Sequence, residues 1–331
     1  MAAGFLLNFV LTFSPLTSSV FTVSVSSAAI QEFFQQRHSV PIQKLENELL
    51  REKGITVLVK REDLLHPEVS GNKWRKLKYN LLTAAEKDQD TLLTFGGAFS
   101  NHIAAVAAAG KLFGFKTIGL IRGEAHFPLN ATLQRAVENS MQLHYLDRET
   151  YRRKNEPEFL KTLQKQFGNT YLIPEGGTNC LALKGCAEVI SEIQEPFDVL
   201  CCAAGTGGTS AGLLAGLNGE KQLLAFSALK GNFLHPEIDS LTQKCYGKTY
   251  KNWQLQTDYH FGGYAKTKSE LFDFMQDFEA QFQILLEPVY TAKMFFGLFD
   301  LIRKDHFPKG TNIVAIHTGG LQGNTGFAGK R

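Results

Sequence analysis

From Val40 to the C-terminus, short apolar runs alternate with longer stretches whose apolar residues recur every three or four positions. The runs at 55–60, 91–95, 116–121, 142–146, 170–173, 198–203, 223–229, 253–257, 284–286 and 312–316 predict strands. Most of them are continuous rather than alternating, the pattern of parallel strands covered on both faces. Between them, 76–86, 102–113, 129–138, 183–193, 270–281 and 291–302 carry helical periodicity. Strand–helix alternation over this length predicts open parallel sheets with right-handed crossovers. Ten strands are many for one twisted sheet, so two α/β domains are expected.

Composition changes this picture little. Of 331 residues, 44% are hydrophobic and 20% charged, which excludes wholesale disorder. Thirty-five basic against 32 acidic side chains leave +3 and no basic block, so no nucleic-acid partner is expected. Residues 1–31 contain no charged side chain, and a poorly ordered extension is expected there. A targeting segment is the other reading, although the positive n-region or the arginines of such segments are lacking. Asn8 and Pro15 spoil a membrane-spanning helix, and no membrane association is expected. Five cysteines, at 180, 186, 201, 202 and 245, show neither Cys-x-x-Cys nor zinc-ligand spacing. Reduced thiols, a cytoplasmic location and no metal are expected.

Open α/β sheets bind ligands beyond the carboxyl ends of their strands, and several Gly-rich segments fall there. Gly205-Thr206-Gly207-Gly208-Thr209 follows one strand and opens a helix, as a cup for one phosphate would. No acidic residue ends the next strand, against a dinucleotide site, and no Gly-Lys-Ser/Thr follows, against a P-loop. A tight turn without ligand is the plainer alternative. Ser70-Gly71-Asn72-Lys73 places a lysine at a helix start, where the macrodipole disfavours a cation. Buried there, its amine would suit Schiff-base chemistry; exposed, it is an ordinary solvated lysine. In the segment 96–102, Ser100 or Asn101 can face a ligand or simply cap a helix, and His102 can be structural. Pro174-Glu175-Gly176-Gly177-Thr178-Asn179 is similarly ambiguous.

Together, Ser-Gly-Asn-Lys-x-Arg-Lys at 70–76, Ser-Asn-His at 100–102, Pro-Glu-Gly-Gly at 174–177 and the 205–209 loop resemble one family. It is that of the pyridoxal-phosphate enzymes of the tryptophan-synthase β fold, in the branch of 1-aminocyclopropane-1-carboxylate (ACC) deaminase and D-cysteine desulfhydrase. Gly-Gly-Tyr at 262–264, Pro-Val-Tyr-Thr at 288–291 and His-Thr-Gly-Gly at 317–320 extend the resemblance through the second half. It implies an enzyme of two mainly parallel sheet domains with the active site between them: 32–75 with 186–331 as the large cofactor-binding domain, 76–185 as the small one. It implies pyridoxal 5'-phosphate as cofactor, a small amino acid as substrate, and a homodimer.

By the same resemblance Lys73 matches the lysine that holds the cofactor covalently, and Asn101 the asparagine on its phenolic oxygen. Ser100 matches the serine beside the substrate carboxylate, with His102 next to it facing substrate. Gly205, Thr206, Gly207, Gly208 and Thr209 match the phosphate cup, assisted by Lys76. Tyr264 and Tyr290 match two tyrosines that contact substrate. ACC deaminases carry Glu after the second tyrosine and Leu between His and Gly-Gly; Thr291 and Thr318 stand there instead. A threonine at the pyridine nitrogen makes a weaker electron sink than a glutamate, adequate for expelling a thiolate but poor for opening a cyclopropane. α,β-Elimination of D-cysteine is therefore expected first and ACC deamination second, with a non-catalytic sensor or a β-replacement synthase as further readings. A carboxylate introduced by Gly207→Asp is expected to face the cofactor's phosphate.

Overall fold

A computed structural model describes residues 25–36 and 40–327. Its strands, in chain order, are β1 (Ile42–Leu45), β2 (Thr56–Lys60), β3 (Thr91–Gly97), β4 (Lys116–Arg122), β5 (Met141–Leu146), β6 (Thr170–Ile173), β7 (Val199–Ala204), β8 (Gln222–Ser227), β9 (Trp253–Gln256) and β10 (Asn312–Ile316). They form two sheets in two units.

One unit comprises the described residues up to Gln36 and Asn80–Gly177. Its four strands run in the order β5-β4-β3-β6, all parallel. The central strand β3 is buried at six successive positions, so its run of Leu, Thr and Phe has no solvent face to alternate with. The helix Asn101–Phe113 packs on it through an Ala-rich face, where small side chains let helix and sheet approach.

This unit also holds a correction. The chain around residues 27–31, expected to be poorly ordered, forms the helix Ser27–Gln35. Ser26 caps it by accepting from Ala29 N at 3.3 Å. Ile30 and Phe34, four residues apart and thus on one face, are both buried. The Phe113 ring lies 5.0 Å from Phe33 and 5.9 Å from Phe34. Such aromatic contacts hold a segment that composition alone cannot place. The rest of the extension, 1–24, lies outside the described residues.

The other unit comprises Arg37–Tyr79 and Thr178–Arg331, less its undescribed positions. Its six strands run β1-β2-β10-β7-β8-β9, with β1 antiparallel and the rest parallel. The edge strand β1 is short and half polar, with Lys44 exposed on the rim, and its pattern does not announce a strand. Conversely 284–286 makes no ladder, although Ile284 and Leu286 are buried. An apolar run reports burial, and burial alone does not distinguish a strand from other core backbone. Behind the sheet, Phe278, Phe282, Phe295 and Phe299 interlock the helices Ser269–Phe282 and Thr291–Arg303.

The thiols depart from expectation too. Cys180 and Cys245 form a disulfide joining the start of the helix Cys180–Ser191 to the end of the helix Leu234–Tyr246. The two residues are 65 apart in sequence, a pairing that no local spacing reveals. Cys186, Cys201 and Cys202 are buried free thiols. No helix among the described residues is long and apolar enough to cross a membrane.

Candidate active site

In the six-stranded sheet, β2, β10 and β7 are adjacent and parallel, so the segments after them leave from one sheet edge. Those segments are 61–73, 317–320 and 205–209, and all three carry sequence-predicted residues.

Lys73 is the second residue of the helix Asn72–Glu86. Gly71, at φ 61°, makes the turn into it, and any Cβ there would lie 1.9 Å from the Thr318 carbonyl oxygen. The turn is held by Gly71 N donating to Glu62 O at 3.0 Å and Asn72 N to Thr318 O at 3.2 Å. One helical step on, Arg75 donates to both Glu62 oxygens at 2.8 and 2.9 Å and to both Glu192 oxygens at 2.5 and 2.6 Å. A buried guanidinium is tolerable only with such partners, and their fixed fork geometry sets the rotation of the helix start.

The Lys73 amine donates to Asn72 Oδ1 at 3.0 Å, and Asn72 Nδ2 donates to Thr209 Oγ1 at 2.9 Å, linking the lysine to the glycine loop. Its side chain is half-buried. That burial, and next the Lys76 ammonium, pull its pKa down to about 7. Near neutral pH much of the amine is therefore unprotonated and nucleophilic. Lys76 is buried and is pulled to about 8 by desolvation. Its amine reaches Thr178 Oγ1 at 3.1 Å and Thr206 Oγ1 at 3.5 Å, and those two hydroxyls are 2.6 Å apart.

The loop itself turns at Gly207 (φ 77°), which has no side chain to cap the helix Gly208–Leu217. The first amides of that helix are thus left to an anion. A Cβ on Gly208 would lie 2.7 Å from Thr178 Oγ1 and 3.0 Å from the Lys76 amine, so glycine keeps open a space lined by a cation and hydroxyls. A phosphate fits this cradle. A Cβ on Gly207, by contrast, would lie 2.9 Å from Ile238 Cγ1. The expectation that Gly207→Asp faces the phosphate is corrected: its carboxylate would head into apolar side chains.

Two tyrosines lie beside this loop. Gly205 lies against Tyr290, where a Cβ would come 2.8 Å from the ring. The rings of Tyr290 and Tyr264 are 6.2 Å apart, edge to face. Tyr290 is held by a group that the sequence reading missed. The fully buried Glu287 carboxylate accepts from the amides of Val289, Tyr290 and Thr291 at 2.9, 2.8 and 2.7 Å. Burial pushes its pKa up, while these amides pull it down. Thr291, buried, spends its hydroxyl on Glu287, accepting from the Glu287 amide at 3.0 Å. Thr318 is buried beside Gly71, and the neighbouring His317 ring touches Leu285 O at 2.7 Å and Asp63 Oδ1 at 3.4 Å.

The remaining predicted residues belong to the four-stranded unit. Ser100 caps the helix Asn101–Phe113, its Oγ accepting from His102 N and Ile103 N at 3.2 and 3.4 Å. Asn101 is the first residue of that helix and is half-buried. His102 is buried with Nε2 2.8 Å from Thr94 Oγ1, whose hydroxyl also donates to Ile173 O. The plainer readings of Ser100 and His102, cap and structural ring, are thus realised in the fold. Asn72 and Thr178 stand inside quoted motifs without a role of their own, and Glu287 and Lys293 were not singled out from sequence. Only Glu287 left a local signal, an acid four residues before Thr291 at a helix start.

A lysine of depressed pKa tied to an anion cradle suits a small carbonyl cofactor carrying one phosphate, the equipment of a pyridoxal-phosphate enzyme. The chain belongs to that family: residues 35–319 match the family described as "Pyridoxal-phosphate dependent enzyme". Its cofactor is pyridoxal 5'-phosphate. Within the family it is similar to a Pyrococcus horikoshii protein named as a candidate ACC deaminase, 32% identical over 88% of this chain and 92% of that one. It is also 30% identical, over 82% of this chain and 73% of the other, to an Arabidopsis thaliana protein named bifunctional D-cysteine desulfhydrase/ACC deaminase, mitochondrial. Among solved structures, one titled as an ACC deaminase homologue matches with a TM-score of 0.79 at 30% identity, over 91% of this chain and 97% of that one. The expected α/β class with two mainly parallel sheets is the one observed.

Proposed function

We propose that this enzyme is a lyase that eliminates hydrosulfide from D-cysteine. With water, D-cysteine yields pyruvate, ammonia and hydrogen sulfide. The observation that carries this reading is the commitment of Thr291 to the buried Glu287 carboxylate. ACC deaminases place a glutamate at the Thr291 position, and here a second carboxylate would be forced against the first. Thr318, where those enzymes resemble this chain but carry Leu, points the same way.

Pyridoxal phosphate, when bound, supplies the sink for the electrons of the broken Cα–H bond. In this reading Lys73 carries the cofactor, and its amine, once released, takes the α-proton. The 205–209 loop and Lys76 hold the phosphate, and Thr318 the pyridine nitrogen. Ser100 and Asn101 orient the substrate carboxylate, Asn101 also meets the cofactor's phenolic oxygen, and His102 is assigned to the substrate side through that helix start. Tyr264 and Tyr290 contact substrate and exclude water from it; Thr291 acts there through its cap. The Cβ–S bond then breaks with the electron pair leaving on sulfur. A homodimer and a cytoplasmic location belong to the same proposal, the first supported by the resemblance alone. The Cys180–Cys245 disulfide counts against the second.

The name of the Pyrococcus horikoshii relative favours a second reading, ACC deamination to 2-oxobutanoate and ammonia, while that of the Arabidopsis thaliana relative carries both. One assay separates the two: the purified enzyme is supplied in parallel with D-cysteine, L-cysteine, D-serine and ACC. Pyruvate and sulfide from D-cysteine in excess of every other product support elimination. Predominant 2-oxobutanoate from ACC transfers the assignment to the deaminase.

A further inference from the structure

Lys293 has no place in the reaction just described. It sits in the first turn of the helix Thr291–Arg303 and is 1% exposed. A cation there is poorly placed, because the helix N-terminus is itself positive and burial strips the ammonium of water. What it meets is backbone: its amine donates to His260 O and to Gly263 O, both at 2.8 Å. Each of these carbonyls also closes a turn of its own, accepting from Gly263 N at 3.0 Å and Lys266 N at 3.1 Å respectively. Lys293 is therefore the shared centre of two successive turns.

Besides Lys293, the loop is held by Gly262 N donating to His260 Nδ1 at 2.8 Å and by the Phe261 ring, 5.0 Å from that of Phe296. Its backbone is left-handed at Phe261, Gly262, Gly263 and Ala265 (φ 53°, 97°, 118° and 54°), a region that disfavours Phe and Ala. The segment belongs to neither a helix nor a strand. Such a conformation persists only where something over-determines it. Tyr264 projects from this loop at 43% exposure, and Tyr290 is the residue before the helix that carries Lys293. The same helix start is locked on its other side by Glu287.

We propose that Lys293 is the positioning residue of the tyrosine pair: by tying the 260–266 loop to the Tyr290 helix it sets the spacing of Tyr264 and Tyr290, and with it the fit of a small amino-acid substrate. The consequence for turnover rests on the function proposed above; the consequence for the loop does not. The test compares wild type, Lys293→Met, which keeps the apolar stem without the donors, and Lys293→Gln, which restores two N–H donors. All three carry pyridoxal phosphate. Lys293→Met retains the cofactor's visible absorption, raises KM at least tenfold for whichever of D-cysteine and ACC the wild type consumes, and lowers kcat less than threefold. Amide hydrogen exchange at 261–266 accelerates at least tenfold, while that at 206–213 is unchanged. Lys293→Gln recovers at least threefold of the lost KM.

Loop exchange and KM within twofold of wild type in Lys293→Met overturn the proposal. So does an equal acceleration of exchange at 206–213, which would mark general loosening. Should Lys293→Met not fold, Gly263→Ala disturbs the same tether from the loop side, since φ 118° is strained for alanine. A KM within twofold of wild type in that variant then overturns it. A wild type that consumes neither amino acid refutes the proposed function and leaves the exchange comparison to judge the positioning role.

Discussion

The surroundings of Lys73 favour its neutral amine. Burial and the nearby Lys76 ammonium depress its pKa from the ordinary lysine value to about 7. The neutral fraction grows as pH rises through that value, so capture of pyridoxal phosphate by the cofactor-free protein should be slow at pH 6 and level off above pH 8. Stopped-flow absorbance gives the midpoint. Lys76→Met should move it upward, because the second-largest cause of the shift is removed; an unchanged midpoint would show that Lys76 does not act on this amine. A second residue-level expectation concerns Thr291→Glu. The new carboxylate would be buried against Glu287 without a partner, at a stability cost of about 3 kcal/mol. Adding Glu287→Gln should recover part of it in denaturant titrations, and strict additivity of the two changes would exclude the contact. Lys73, Lys76 and the glycine loop were legible as motifs because their neighbours in sequence are their neighbours in function. The bond from Asn72 to Thr209 was not, because the two are 137 residues apart. Lys293 was not either, because its partners are backbone carbonyls, which carry no residue signature.

Among elements, the glycine loop shows why position within a motif matters more than membership in it. Gly207 and Gly208 are adjacent, yet a side chain on the first would enter the Ile238 contact and one on the second the cradle beside Lys76. Gly208→Asp should therefore fold while losing cofactor affinity about 100-fold. Like charges some 4 Å apart repel by several kcal/mol at an intermediate dielectric. Gly207→Asp should lower Tm instead, with cofactor binding impaired only through instability. Titration with pyridoxal phosphate alongside thermal unfolding distinguishes the two, and the opposite assignment would displace the phosphate from this cradle. The parallel strands were readable because burial on both faces writes a continuous apolar run. β1 escaped notice for the complementary reason: an antiparallel edge has one wet side and one unpaired rim, so it looks like a polar turn.

For the molecule as a whole, the division into two sheets followed from strand number and alternation. The disulfide and the aromatic docking of the helix Ser27–Gln35 depend on distant partners and did not. The disulfide closes a loop spanning 65 positions, which in the chain-entropy picture is worth about 4 kcal/mol at most. Cys245→Ser should lose stability of that order in denaturant unfolding without reductant. A wild type equally stable with and without reductant would show the bond to be absent in solution. The proposed covalent link between Lys73 and the cofactor can be read directly. Borohydride reduction of the cofactor-loaded enzyme, followed by proteolysis and mass mapping, should place the reduced pyridoxyl adduct on Lys73, and Lys73→Ala should yield none. An adduct on Lys76, Lys293 or any other lysine, or one that survives Lys73→Ala, would contradict the account.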